Sequence, residues 1–128
     1  MTIDEFVSEF EAFSGLDVPE EAEVLETAEG TGPDRTLELT FVVPADDADA
    51  TVAGTGFGAA LEAPVLHPYE PWRVAALRDD AAPEDTRRGQ ERYTIDDGGT
   101  TRQRRRDAGV IELRDGTAQI VLIASSTA

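Results

Sequence analysis

The chain has no cysteine and no lysine, and only one histidine, one tryptophan and one methionine among its 128 residues. Without cysteine there are no disulfides, no thiolate metal sites and no cysteine nucleophile. His67 is the single histidine, so a two-histidine metal site is excluded and a Ser-His-Asp triad would have to be built around that one residue. It lies in Leu66-His67-Pro68-Tyr69, and Ser8, Ser14, Ser125 and Ser126 fall in no nucleophile-elbow sequence, so no catalytic residue is assigned. No apolar run approaches the roughly 18 residues of a membrane-spanning helix. Met1-Thr2-Ile3-Asp4-Glu5 is acidic where a signal peptide is basic. As written, the chain is expected to be cytoplasmic and not inserted in a membrane; an upstream signal or anchor on a longer form would instead make it extracytoplasmic.

What the chain has in excess is acid. Its 27 Asp and Glu face 11 bases, all arginine, for a net charge of −16. A field of that size repels nucleic acid and anionic lipid. The charge is also uneven: residues 1–50 hold 15 acids and only Arg35, a net of −14, whereas residues 51–128 hold 12 acids and 10 arginines, a net of −2. Leu, Ile, Val and Phe make up 29 of the 128 residues, above the range in which highly charged chains stay disordered. The length fits a single domain spanning 1–128.

Ile3, Phe6, Val7, Phe10 and Phe13 recur at helical spacing behind a Thr2/Glu5 capping box, and Gly15 ends the helix. Leu16–Pro19 reads as a connector and Ala22–Thr27 as a short strand or an extension of helix. Leu37, Leu39, Phe41 and Val43 alternate with Thr36, Glu38, Thr40 and Val42, a strand with one core face that Pro44 stops. Ala45–Ala53 reads as an Ala-rich helix with Gly54 as its cap. The stretch from Gly54 to Pro71 is an irregular connection, and Asp79–Gln90 a second, polar loop. Three strands follow, at Arg92–Asp96, within Thr101–Arg114 and at Thr117–Ser125, with a two-residue turn at Asp115-Gly116. The continuous run Ile120–Ile123 predicts a central strand covered on both faces. The order of elements predicts an α+β fold: a mostly antiparallel sheet, an N-terminal helix and a second short helix on one face, and a C-terminal β-hairpin.

Several motifs fail on detail. Gly54-Thr55-Gly56-Phe57-Gly58 lacks the G-x-G-x-x-G spacing and a following lysine. Counted from Asp47, an EF-hand loop would need glycine at Val52 and glutamate at Gly58. Neither a metal nor a cofactor is therefore expected. Two constellations remain. Glu20, Glu21 and Glu23, with Asp46, Asp47 and Asp49, are the candidate partner-binding residues, placed in the acidic half. Arg102, Arg104 and Arg106 alternate along a strand and, with His67, are the candidate anion-binding set; their other role would be to neutralise the protein's own acids.

Phe13-Ser14-Gly15-Leu16-Asp17-Val18-Pro19, then Glu23-Val24-Leu25-Glu26, the strand Asp34–Phe41 and the Ala-rich helix ending at Gly54 resemble small actinobacterial proteins of unknown function, in which a G-L-x-x-P connector precedes an alternating strand. The likeness covers about the first 58 residues, with a Trp and a terminal hairpin in the same order. It implies a frequent signal or lipoprotein anchor and no catalytic residues. The charge pattern points to a non-catalytic acidic protein-binding module, in its most concrete form an immunity or inhibitor protein for a basic partner. The alternative is a small-ligand or anion-binding domain, or an enzyme, with a pocket near His67, Trp72 and Arg102–Arg106.

Overall fold

Residues 2–30, 35–62, 86–113 and 116–126 are described by the computed structural model. Thr2 caps the first helix, α1 (Ile3–Ser14), its hydroxyl accepting from the Glu5 amide at 3.1 Å. The helix stops at Gly15, whose φ of 72° is unstrained only for glycine and whose N–H closes on the Glu11 carbonyl. Phe6, Phe10 and Phe13 are buried, as the spacing predicts. Ile3, counted on the same stripe, is 53% exposed because it occupies the first turn, ahead of the buried run.

Five strands follow: β1 (Glu23–Gly30), β2 (Thr36–Pro44), β3 (Thr86–Asp97), β4 (Thr100–Glu112) and β5 (Thr117–Ser125). They form one antiparallel sheet in the order β1-β2-β5-β4-β3, with β5 in the centre and the β4–β5 hairpin as the C-terminal pair. The short helix α2 (Ala48–Gly54) follows a 3-10 turn over Ala45–Asp47. Both helices lie on one face, so the fold is α+β. Their core joins Phe6, Phe10, Phe13 and Val52 to Leu37, Leu39 and Phe41 of β2, Val110 of β4, and Ile120 and Leu122 of β5. Each such side chain contributes roughly 1.5–3 kcal/mol of burial.

The second face is buried too. Val121, Ile123, Ile111 and Leu113 make a separate apolar cluster there. Glu38 and Thr40, the polar half of the β2 alternation, are also buried, since they stand opposite Ile123 and Val121 of the central strand. Two-face coverage, expected for Ile120–Ile123, therefore extends to β2, where a single core face was expected.

Some boundaries shift. The segment after Pro19 is strand, not extended helix, because it pairs with β2 from Glu23 onward. β3 begins at Thr86, inside the expected polar loop, its arginines and Gly89 laddering with β4. Gly54 is not a left-handed cap: it is the last residue of α2, and Thr55 caps in right-handed geometry. Gly116 turns with φ 84°, while Asp115 lies outside the described residues. Gly98 and Gly99, at φ 61° and 87°, close the β3–β4 hairpin.

Candidate functional site

The two acidic clusters lie at the same end of the sheet. Glu23 opens β1 opposite Val42, two residues before β2 ends at Pro44, and the turn carrying Asp46 and Asp47 follows at once. Ala45 N–H donates to the Gly116 carbonyl at 3.0 Å, pinning that turn to the same end of the sheet. The connector is pinned as well: Asp17 N–H donates to the Thr55 carbonyl at 2.9 Å, and Ala22 N–H to that of Pro19 at 3.1 Å, closing the turn that holds out Glu20 and Glu21. Glu20, Glu21, Glu23, Asp46, Asp47 and Asp49 are all exposed. Asp49 is countered, because Arg87 reaches it at 2.7 Å and its hydrogen bond holds the carboxyl below its ordinary pKa. Among the described residues, the other five have no ion pair.

The arginine row lies on the helix face, as alternation predicts, and turns toward the end of α1. Arg104 Nη1 donates to the Phe13 carbonyl at 3.0 Å, with its guanidinium 4.2 Å from the Phe13 ring centre. Arg106 Nη1 donates to the Ser14 carbonyl at 2.8 Å and its Nε to Glu91 at 2.6 Å, while its guanidinium lies 4.6 Å from the Tyr93 ring centre. The Tyr93 hydroxyl donates to the Phe13 carbonyl at 2.7 Å, and burial raises its pKa. α1 carries no basic residue in its last turn, so β4 supplies the cations that its carbonyl end favours. Of the acids expected to neutralise the row, Glu91 meets Arg106, and Arg104 and Arg106 each also donate to a backbone carbonyl at the end of α1.

A groove of about 720 Å³ joins Arg102 and Arg104 to Arg35, Glu9, Phe13 and Asp96. Arg35 pairs there with Glu9 and, at 3.0 Å, with Glu29, and its guanidinium lies 5.3 Å from the Phe13 ring centre. Arg106 does not line the groove. His67, the other member of the anion-binding set, and Trp72, expected near the same pocket, lie outside the described residues.

Sequence reasoning missed a buried ion pair on the second face. Arg88 Nη2 meets Asp107 Oδ2 at 2.9 Å, with 9% and 2% of the side chains exposed. A lone Asp following four arginines on a strand that turns apolar at Ala108 was the available signal. Among the described residues no group of acids and histidine is arranged to hold a metal ion, and no helix is long and apolar enough to cross a membrane. No protein-family model, no curated protein and no solved structure matches the chain.

Proposed function

We propose that the protein is a non-catalytic binding module whose acidic end meets a basic protein partner, with inhibition of, or immunity to, a cationic toxin or enzyme as its most concrete form. One observation carries the reading: Glu20, Glu21, Glu23, Asp46 and Asp47, from two separate stretches of sequence, stand exposed together at one end of the sheet. Like charges so gathered repel one another, and a cationic surface relieves that repulsion. Such a field accelerates encounter and makes association steeply salt-dependent. In the opposite constellation, Arg104 and Arg106 are engaged with the carbonyl end of α1, Arg106 with Glu91 and Arg104 with the Phe13 ring.

The test retrieves a partner on the immobilised protein, purifies it and measures association rates at low and high salt. Changing Glu20, Glu21 and Glu23 to Gln, or Asp46 and Asp47 to Asn, slows association and flattens its salt dependence. Changing Arg102 and Arg104 to Gln has the smaller effect on binding. The reverse ranking assigns recognition to the groove and makes the anion-binding reading the better one.

A further inference from the structure

The sheet has two outer strands, and their free edges differ. Along β3, residues 57–62 pass over Gly89 so closely that a Cβ there would sit 2.7 Å from the Ala60 carbonyl oxygen. Glu62 then bridges Arg88, each N–H donating to the other's carbonyl at 2.9 Å. That edge is partly covered. The outer edge of β1 meets no strand, bridge or backbone hydrogen bond among the described residues. Such an edge is a template for another strand.

The side chains on β1 select what can pair with it. Glu23 and Glu26 are exposed, and Leu25, 51% exposed at the bulge between Val24 and Glu26, is one of two large apolar side chains left exposed among the described residues. Beyond the bulge, Glu26–Gly30 keeps regular register with β2 and presents a regular edge to a further strand, with Leu25 and Glu23 flanking it. A second copy of this chain is a poor occupant, because its own β1 would bring Glu23, Glu26 and Glu29 to an edge that already carries the same carboxylates, and like charges across strands destabilise. A strand with alternate cationic side chains has the opposite sign and also covers Leu25.

We infer that the outer edge of β1 docks an extended, basic segment of a partner protein by strand addition, with Lys or Arg set against Glu23 and Glu26 and an apolar contact on Leu25. The inference rests on the acidic-end reading and supplies its mode of contact: main-chain hydrogen bonds give affinity, and side chains at alternate positions give selectivity.

The probe is a short synthetic peptide alternating Lys with Val, compared with the same peptide N-methylated on alternate backbone nitrogens and with a Glu-Val counterpart. Amide exchange of the full-length protein is followed by NMR at low and moderate salt. The Lys-Val peptide is expected to bind, to slow exchange among Val24–Gly30 amides, and to lose about tenfold in affinity, or roughly 1.4 kcal/mol, on N-methylation. Leu25→Ser and Glu23→Gln/Glu26→Gln, both at exposed positions, should each weaken it, while the Glu-Val peptide stays unbound. If the N-methylated peptide binds equally well, or protection falls away from β1, strand addition is wrong and the acidic-end reading survives. If the Lys-Val peptide does not bind, strand addition is wrong and the acidic-end reading stands or falls on the partner's association rates; if it binds but ignores both salt and the glutamate changes, both are wrong.

Discussion

Arg106 of β4 reaches across 92 residues of sequence to donate to the Ser14 carbonyl, 2.8 Å away, at the end of α1. The same guanidinium holds Glu91, which in turn accepts from the Gly58 amide at 2.9 Å, so one arginine ties a helix terminus, an outer strand and the segment after α2. Hydrogen bonds to charged groups contribute about 1.5–3 kcal/mol where water is excluded. Arg106→Gln should therefore destabilise the fold by about that amount in urea melts. Arg102→Gln, at an exposed position in the same row, should stay within about 0.5 kcal/mol. Equal effects would mean the row acts by charge alone.

Gly89 and Gly54 should respond oppositely to alanine. At Gly89 the added Cβ would lie 2.7 Å from the Ala60 carbonyl oxygen and 3.0 Å from the Phe57 ring, so backbone must shift at a cost of about 1–3 kcal/mol. At Gly54 nothing lies within 4 Å and the residue is helical, so alanine should be neutral or stabilise by about 0.4–1 kcal/mol. Paired thermal melts decide it.

The elements that could be read from sequence are those whose local pattern and tertiary role agree. The Phe6–Phe10–Phe13 stripe and the Ile120–Ile123 run state their burial in their own spacing, whereas the β2 alternation gives the core face of Leu37, Leu39 and Phe41 but not the burial of Glu38 and Thr40 on the other. β3 was obscured because its Thr86–Gln90 end is polar; it becomes strand through pairing with β4, and that partnership is not written in its own residues. The acidic residues were visible singly. Their meeting at one end of the sheet depends on the antiparallel return of β2 beside β1 and on the Asp17 and Ala45 backbone bonds, so only the fold supplies it. The arginine row was seen, but not its hold on α1, because a carbonyl terminus has no side-chain signature.

Tyr93 gives a pH signature. Burial raises its pKa above the ordinary 10.0, against the opposing pull of Arg104 and Arg106. A raised pKa in the fold means that the stability contributed is complete below pH 10.0 and is lost as pH rises through the folded value. Ionisation also removes the proton donated to the Phe13 carbonyl. The wild type should lose stability above pH 10 relative to Tyr93→Phe, measured by urea melts along a pH series; parallel curves would place the alkaline loss elsewhere.

Leu39 and Leu122 face each other across β2 and β5, both fully buried, and either change to Ala should cost about 2–5 kcal/mol. Most charged residues should matter less. Asp107 is the exception, because breaking its buried pair with Arg88 costs about 3–5 kcal/mol. A shift below about 0.5 kcal/mol for both leucine variants would contradict the central position of β5.

Neutralising acids should divide the acidic end into two classes by sign. Glu20, Glu21 and Glu23 are exposed, close in sequence and without ion pairs among the described residues, so their mutual repulsion opposes folding. Changing all three to Gln should raise stability in urea at low ionic strength, and the gain should vanish near 1 M salt, where the screening length is about 3 Å. Asp49 behaves oppositely, because its pKa is held down by the hydrogen bond from Arg87. A lowered pKa in the fold contributes stability that is present above the ordinary 3.8 and lost as pH falls through the folded value, so Asp49→Asn should destabilise at neutral pH and do nothing in strong acid. The Asp49 effect is small, since the pair is open to solvent. Urea melts of the two variants at low and high salt, and at neutral and acid pH, test both signs. A stabilising triple change means that these glutamates are kept at the expense of the fold, which is the expected mark of residues that serve a partner. A destabilising one would place them in the protein's own ion pairs and remove the basis for the acidic-end reading.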